Sequence, residues 1–339
     1  MTQMRYVDGL RRAIELEMER DQRVIVLGED VSVGGPFGIT AGLLERFGDR
    51  RVINTPISED SIMGLATGAA LAGKRPIVEI MFVDFITLAM SQLVNHTAKL
   101  RFMSGGQLNV PMVIRVQQGA GGGWGAHHSQ SLEAWFHHVP GLKVVAPSNA
   151  ADALGLLRAA IRDEDPVLFI EHRGLHFRRD EVADPDAIPE LGTAKIVRAG
   201  KDLTIVTYLK PVWDALAAAA ELAARGISAE VIDLRSLSPL DMGTVLRSVE
   251  RTSRALVVHE AVLQGGLGAE IAARIQEAAF DWLDAPVHRI GAPFAPIAAS
   301  PVLEQAFVPN AWTIVAGVEQ MLGLAPAAGL RAGDARHVT

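Results

Sequence analysis

Hydrophobic residues follow two alternating patterns along this chain. Short continuous runs rich in valine and isoleucine are separated by longer segments in which apolar residues recur at helical spacing. A continuous apolar run is typical of a strand that is buried on both faces of a parallel sheet. Alternation of such strands with helices predicts an α/β fold whose sheets are mostly parallel and flanked by helices.

The apolar runs form two series, and this predicts two domains. The first series predicts strands at Val24–Leu27, Ile77–Ile80, Met112–Val116, Val144–Ala146 and Val167–Ile170. The second series predicts strands at Leu203–Thr207, Ala229–Asp233, Ala255–His259 and Val287–Ile290. The clearest helical segments are Asp152–Arg162 and Trp213–Arg225, and Gly226 stands where a left-handed C-terminal cap is expected.

A linker is predicted between the two series of strands. The segment Glu181–Leu191 reads EVADPDAIPEL, which is acidic and carries two prolines. We therefore predict one domain over residues 1–180, a linker over 181–192 and a second domain over 193–324. The remaining residues, 325–339, are rich in alanine and glycine without periodicity and are predicted to form a flexible tail.

Composition narrows the class of protein. Of 339 residues, 49% are hydrophobic and 21% are charged, a balance typical of soluble globular proteins. The net charge of −7, without a cluster of lysine and arginine, argues against a nucleic-acid partner. No apolar run reaches the roughly 18 residues that span a bilayer, and no signal-peptide pattern is visible. The absence of cysteine excludes disulfides and thiolate sites. We expect a cytoplasmic enzyme or subunit without a membrane partner.

The segment Gly119–Ser131 is a candidate functional loop. It reads GAGGGWGAHHSQS, lacks the Gly-Lys-Ser/Thr ending of a Walker loop and matches a dinucleotide fingerprint only loosely. A glycine-hinged loop that delivers a histidine to a cleft fits better. Four nearby histidines invite a metal site, but the spacings of zinc hydrolases are missing. They are His127, His128, His137 and His138.

Two further segments place polar or aromatic residues at strand ends. Thr55–Asp60 reads TPISED and enters a run rich in glycine and alanine, so Ser58 can cap a tightly packed helix. Glu79–Phe85 reads EIMFVDF at the end of a predicted strand, where an aromatic residue normally belongs to the core. Taken singly, neither segment indicates more than local structure.

In combination these motifs resemble one family. Seven motifs carry the resemblance through their order along the chain: LGED (Leu27–Asp30), FGDRRVINTPISE (Phe47–Glu59), AKLRFMSGG (Ala98–Gly106), HSQSLEAWF (His128–Phe136), PGLKVVAPS (Pro140–Ser148), LRSLSPLD (Leu234–Asp241) and VVHEA (Val257–Ala261). From Tyr6 to Leu322 the chain resembles the β subunit of the thiamine-diphosphate-dependent 2-oxoacid dehydrogenase component of the pyruvate and acetoin type, in the transketolase-like superfamily. This resemblance implies a pyrimidine-binding domain followed by a transketolase C-terminal-like domain.

The resemblance implies roles for three side chains. Glu59 matches the carboxylate that shares a proton with the aminopyrimidine nitrogen of thiamine diphosphate. Phe85 matches the aromatic residue that stacks on the same ring. His128 matches the active-site histidine that transfers protons or stabilises charge at the substrate or the lipoyl acceptor. His127 departs from the usual pattern, and the register favours His128 as the ring that enters the cleft.

The resemblance also implies partners and ions. The Gly-Asp-Gly motif that binds magnesium and the diphosphate in thiamine enzymes is missing, so an α subunit is expected to supply it in a heterotetramer of two α and two β chains. A lipoyl acyltransferase is the expected acceptor. Residues around Ala160, Asp163 and Asp165 resemble a potassium site of some relatives, but a helix end with solvated charges is the favoured interpretation.

Three functions remain open at this stage. The first is a pyruvate or acetoin dehydrogenase subunit, active as an oxidoreductase only with its α subunit. The second is a transketolase-like or synthase-like enzyme that is split over two chains. The third is a non-catalytic assembly subunit, against which the joint presence of Glu59, Phe85 and His128 argues.

Overall fold

Every apolar run predicted as a strand forms one in the computed structural model, which describes residues 2–324. The predicted boundaries agree with the observed ones to within a few residues, and the α/β fold class is confirmed. The tail predicted over 325–339 lies outside the described residues. Among the helices that are described, none is both long enough and apolar enough to cross a bilayer.

The chain divides into two compact units. The first contains the residues up to Gln118, together with Trp135–Leu191 and Ser236–Pro239. The second contains Gly119–Ala134, Gly192–Arg235 and residues 240–324. The glycine-rich loop therefore belongs to the second unit, although it follows a strand of the first unit along the chain.

The first unit is built on a seven-stranded sheet. Its strands are β2 (Val24–Gly28), β3 (Val52–Asn54), β4 (Arg75–Phe82), β5 (Val113–Gln118), β6 (Lys143–Val145), β7 (Val167–His172) and β12 (Ser236–Ser238). The order is β12-β6-β7-β5-β4-β2-β3, and only β12 is antiparallel to its neighbour. A separate antiparallel pair joins β1 (Thr2–Arg5) to β8 (Arg179–Val182). Strands β2, β5 and β7 are buried along their whole length, as expected for inner strands of a sheet that is covered on both faces.

Helices cover the sheet of the first unit. They are α1 (Tyr6–Arg20), α2 (Leu43–Phe47), α3 (Glu59–Leu71), α4 (Leu100–Met103), α5 (Glu133–His137, which continues from the second unit) and α6 (Ala150–Arg162), with 3₁₀ turns at Phe85–Ala89 and Arg173–Leu175 and a π-helix at Ser91–Thr97. Helix α6 begins at a true cap, since the Asn149 side chain accepts a hydrogen bond from the Asp152 amide at 2.9 Å. Helix α1 contacts α6 closely because Gly9 lacks a side chain, and an added Cβ would lie 2.7 Å from the Ala150 carbonyl oxygen.

The second unit has a five-stranded sheet in the order β14-β13-β10-β11-β9. Its strands are β9 (Lys195–Arg198), β10 (Leu203–Thr207), β11 (Ala229–Asp233), β13 (Ala255–Val262) and β14 (His288–Ala292). Its helices are α7 (Pro211–Ala223), α8 (Met242–Thr252), α9 (Leu267–Ala279), α10 (Pro301–Phe307) and α11 (Ala311–Met321), with a 3₁₀ turn at Phe280–Trp282. All strands are parallel except β9. The predicted cap after α7 is confirmed, since Gly226 has φ of 80° and the Ile227 amide donates to the Leu222 carbonyl at 3.0 Å.

The predicted N-terminal boundary of the linker is wrong. Glu181 and Val182 were predicted to belong to the linker, but they form the end of β8. Their pairing partners are Gln3 and Thr2, far away along the chain. Because these strands are short and polar, no local apolar pattern indicates the pairing.

Candidate active site

Glu59 lies where the chain leaves β3 and begins α3. The side chain is half-buried, and Glu59 and Asp60 occupy the first turn, where the positive end of the helix dipole favours acidic residues. The predicted cap is only partly correct. Ser58 is at the N-cap position, but its hydroxyl donates to Ser61 Oγ at 2.9 Å and makes no capping hydrogen bond to the helix.

Glu29 is a neighbouring acidic residue for which the sequence predicted no role. It follows β2, the strand that lies between β3 and β4 in the sheet. Burial raises the pKa of Glu29, and the charges of Asp30 and Glu59 raise it further. The carboxyl groups of Glu29 and Glu59 are therefore close enough to interact. The sequence feature that could have indicated a role for Glu29 is the LGED motif, which places acidic residues directly after a buried strand.

Phe85 follows β4 and begins a short 3₁₀ turn. Its half-buried ring meets the ring of Phe82 edge-on, with centroids 5.6 Å apart and planes at 85°. The guanidinium of Arg173 lies 5.1 Å from the centroid of Phe82. The orientation of Phe85 is thus supported from inside the unit. Glu29, Glu59 and Phe85 all follow the carboxyl ends of adjacent parallel strands, which is where open α/β sheets bind ligands.

A buried ionic cluster crosses three central strands of the same sheet. Arg115 on β5 donates through Nε to Glu171 Oε1 at 2.7 Å and through Nη1 to Glu79. His176 Nε2 lies 3.4 Å from Glu171 Oε2. Burial raises the pKa of Glu79 to about 7. Burial acts in the same direction on Glu171, but the charge of Arg115 and the contact with His176 hold the pKa of Glu171 below its ordinary value.

The glycine-rich loop Gly119–Ser131, which carries His127 and His128, lies in the second unit. His128 is half-buried, its amide donates to the Gly125 carbonyl at 3.3 Å, and its ring centroid lies 6.3 Å from that of Trp124. His127 is exposed. His137 belongs to the first unit, where its Nδ1 lies 2.7 Å from the Leu237 carbonyl oxygen. Throughout residues 2–324, no group of three or more His, Cys, Asp or Glu side chains is arranged to hold a metal.

Asp163 and Asp165, two of the three residues of the predicted potassium site, are paired with cations of the chain itself. Arg75 donates through Nε to the Ile161 carbonyl at 2.8 Å and through Nη2 to the Asp163 carbonyl. Lys143 Nζ lies 2.7 Å from Asp163 Oδ2 and 3.3 Å from Asp165 Oδ2. A potassium ion at these oxygens would therefore meet positive charge already in place.

Comparison with known proteins decides the family. The transketolase pyrimidine binding domain matches residues 2–177, and the transketolase C-terminal domain matches residues 192–314. The β subunit of acetoin:2,6-dichlorophenolindophenol oxidoreductase from Cupriavidus necator is 45% identical over 325 residues, covering 93% of this chain and 96% of the relative. The chain belongs to this family of transketolase-like dehydrogenase β subunits. The resemblance seen in the sequence motifs is thus confirmed.

Other members of the family show its range of substrates. The pyruvate dehydrogenase E1 component subunit beta-1 of Arabidopsis thaliana is 48% identical, covering 91% of this chain and 86% of the relative. The 2-oxoisovalerate dehydrogenase subunit beta of Bacillus subtilis is 43% identical, covering 95% of this chain and 99% of the relative. A solved structure described as a split gene transketolase, inactive beta4 tetramer, shares the fold with a TM-score of 0.77 at 24% identity, covering 93% of this chain and 97% of that chain.

Proposed function

We propose that this chain is the β subunit of a heterotetrameric pyruvate or acetoin dehydrogenase component and that it binds the aminopyrimidine of thiamine diphosphate. The observation that carries the proposal is the placement of Glu59 and Phe85 at the same edge of one sheet, inside the residues that match the pyrimidine binding domain. When bound, thiamine diphosphate supplies a nucleophilic carbon and an electron sink for cleavage of the bond next to the substrate carbonyl.

In this proposal Glu59 and Phe85 have different tasks. Glu59 holds a proton at the pyrimidine ring nitrogen, and its half-buried position keeps the carboxyl group available at the sheet edge. Burial, together with the charges of Asp30 and Glu59, raises the pKa of the neighbouring Glu29, so Glu29 keeps its proton to a higher pH than an ordinary glutamate. Phe85 presents a flat ring whose orientation is fixed by Phe82, so stacking costs little entropy.

The diphosphate and its magnesium ion belong, in this proposal, to an α subunit. The first unit exposes large apolar side chains that a soluble monomer would bury, and they fit a permanent partner. They include Ile57, Leu65, Leu88 and Phe102, exposed by 70%, 56%, 62% and 88%. The cytoplasmic location and the potassium ion near Ala160, Asp163 and Asp165 stay predictions.

Cofactor binding is expected to depend on the α subunit. The purified chain alone, titrated calorimetrically with thiamine diphosphate and magnesium, should show no binding in the micromolar range, because the ligands for the diphosphate and the metal lie on another chain. The complex with the α subunit should show it. Micromolar binding to the isolated chain would contradict the division of the site between two subunits.

Acyl transfer to the lipoyl group of an acyltransferase is the remaining part of the proposal, and His128 is expected to serve it. Histidine can give or take a proton near neutral pH. In the assembled complex, His128→Ala should slow transfer to a lipoyl domain by roughly 10²-fold or more, and should affect turnover with a dye acceptor to a different degree.

His127→Ala is the matched control, since His127 is the exposed neighbour on the same loop. It should change either rate only slightly. Greater damage from His127→Ala would shift the assignment by one residue. If neither variant affects transfer to the lipoyl domain, the loop has no part in that step.

A further inference from the structure

Three consecutive amide groups of the glycine-rich loop converge on one carboxylate. The Gly121 amide nitrogen lies 3.0 Å from Glu304 Oε1, the Gly122 nitrogen 3.5 Å from the same oxygen, and the Gly123 nitrogen 3.1 Å from Oε2. The Glu304 side chain belongs to α10, in the same unit as the loop, and is only 5% exposed. Successive amides that surround an anion in this way form a nest, and here the anion is a side chain of the protein itself.

The glycines are required for this geometry. Gly121 and Gly123 have φ of 112° and 65°, values that other residues rarely adopt. A Cβ atom at Gly122 would lie 1.9 Å from Trp124 Nε1, and one at Gly123 would lie 2.9 Å from the Ala299 carbonyl oxygen. The three-glycine run therefore lets the backbone turn its amides toward Glu304 and approach the segment that precedes α10.

The loop is also held before and after the nest. At its start, the Ala120 amide donates to Glu260 Oε1 at 2.6 Å, and Glu260 is a nearly buried residue of β13. At its end, the Tyr208 hydroxyl donates to Glu133 Oε1 at 2.6 Å, in a fully buried pair. Between these anchors, Glu304 accepts from the amides of Gly121, Gly122 and Gly123, which lie just before Trp124 along the chain.

A short path leads from the nest to His128. Gly123 is followed by Trp124, whose ring lies beside that of His128, and by Gly125, whose carbonyl accepts the His128 amide. Gly125 is itself a buried, left-handed residue. Displacement of Gly123 by loss of its partner would thus move the Trp124 ring and the Gly125 carbonyl, which contact His128.

We propose that Glu304 is a positioning residue, which fixes the glycine-rich loop through its amide nest and thereby places His128 for acyl transfer. The inference rests on the proposed function of His128. Hydrogen bonds from backbone amides to a carboxylate are charge-assisted and stronger than neutral ones. Removing the carboxylate leaves three amides without this partner, so the loop samples more positions. Misplacement of a catalytic group by about 1 Å costs on the order of 10²-fold in rate.

The first test is structural and needs no activity. In the complex with the α subunit, Glu304→Ala should accelerate hydrogen–deuterium exchange of the amides of residues 119–128, with exchange elsewhere unchanged. Gln305→Ala, an exposed neighbour on the same helix, is the matched control and should leave exchange as it is. Unchanged exchange in the loop of Glu304→Ala would overturn the proposal, whatever the activity of the enzyme.

The second test is a double-mutant cycle. Glu304→Ala alone should slow acyl transfer to a lipoyl domain on the order of tenfold to 10²-fold. In a His128→Ala background the same change should cost less than about twofold, because the histidine that it positions is already gone. Additive losses would assign Glu304 a structural role unrelated to His128 and overturn the proposal.

Glu304→Gln is a second variant that preserves the volume of the side chain, so its effect cannot come from a cavity. The amide retains one oxygen acceptor but presents a donor to the remaining glycine amide, so we expect an intermediate loss of transfer and the same pattern in the cycle. If His128→Ala alone has no effect on acyl transfer, the proposed function of His128 is wrong. This outcome can be told apart from a failure of the Glu304 proposal, because hydrogen–deuterium exchange in Glu304→Ala tests the loop without any assay of activity.

Discussion

The Glu59→Gln variant of the assembled complex is expected to lose activity by about 10²–10⁴-fold, the contribution typical of a positioned acid or base. Glutamine keeps the shape of the side chain but cannot hold or release the proton. Because Glu59 is half-buried at the first turn of α3, its replacement by an isosteric amide should leave the fold and the assembly nearly intact. Exchange of the thiazolium proton of bound cofactor with deuterium, measured by NMR after acid quenching, should slow by a similar factor.

Asp60→Asn is the matched control for this experiment. Asp60 is the next residue, exposed in the same helical turn, so it experiences the same helix dipole without a role in the proposal. It should exchange the cofactor proton at nearly the rate of the unmodified protein. A normal rate in Glu59→Gln would mean that another carboxylate holds the proton. Glu29 would then be the residue to replace, since it interacts with Glu59.

The sequence predicted the elements that carry a continuous local apolar pattern. Strands such as β10 and β11 were predicted with their observed boundaries because their apolar runs are continuous and bounded by turns. The pairs β1–β8 and β6–β12 were not predicted, since Thr2 meets Val182 and Val145 meets Ser236 only through long-range pairing. Short strands with polar residues carry no periodic signal.

In the candidate site, too, residues within short sequence motifs could be predicted, whereas contacts between distant segments could not. Glu59 and Phe85 could be identified because the motifs around them resemble those of the family, and the parallel sheet then places them at one edge. The role of Glu29 depends on strand order, which brings β2 between β3 and β4. Glu304 lies far from the loop along the chain, so its contact with the three glycine amides could not be read from a local pattern.

Replacing Arg115 with Met is expected to have the largest effect on stability. Arg115 is 1% exposed and is the cation between Glu79 and Glu171, which are also buried. Removing one partner of a buried ion pair typically costs about 3–5 kcal/mol, because the remaining charge is left without compensation. Here two carboxyl groups would be left. The free energy of unfolding, measured by urea denaturation of the chain, should fall by at least this amount.

The loss should grow as the pH rises. The folded-state pKa of Glu79 is already about 7, above its ordinary value, so the stability that its protonated form contributes is present at low pH and is lost as pH rises toward 7. Without Arg115 the pKa of Glu171 should rise as well. Ionisation of Glu171 at higher pH would then also lower the free energy of unfolding. Urea denaturation at pH 5.5 and pH 8 should therefore show a larger difference between the variant and the unmodified protein at pH 8.

Two control variants distinguish loss of the buried ionic cluster from a general effect of removing an arginine. They are Arg101→Met and a triple variant in which Arg115→Met is combined with Glu79→Gln and Glu171→Gln. Arg101 pairs with Asp165 at the surface, and such exposed pairs contribute little to stability because water and salt screen them. Adding Glu79→Gln and Glu171→Gln to Arg115→Met removes the uncompensated charges, so it should recover part of the lost stability and abolish the extra loss at pH 8. Equal losses for Arg115→Met and Arg101→Met, or a loss independent of pH, would show that the two carboxyl groups do not depend on Arg115.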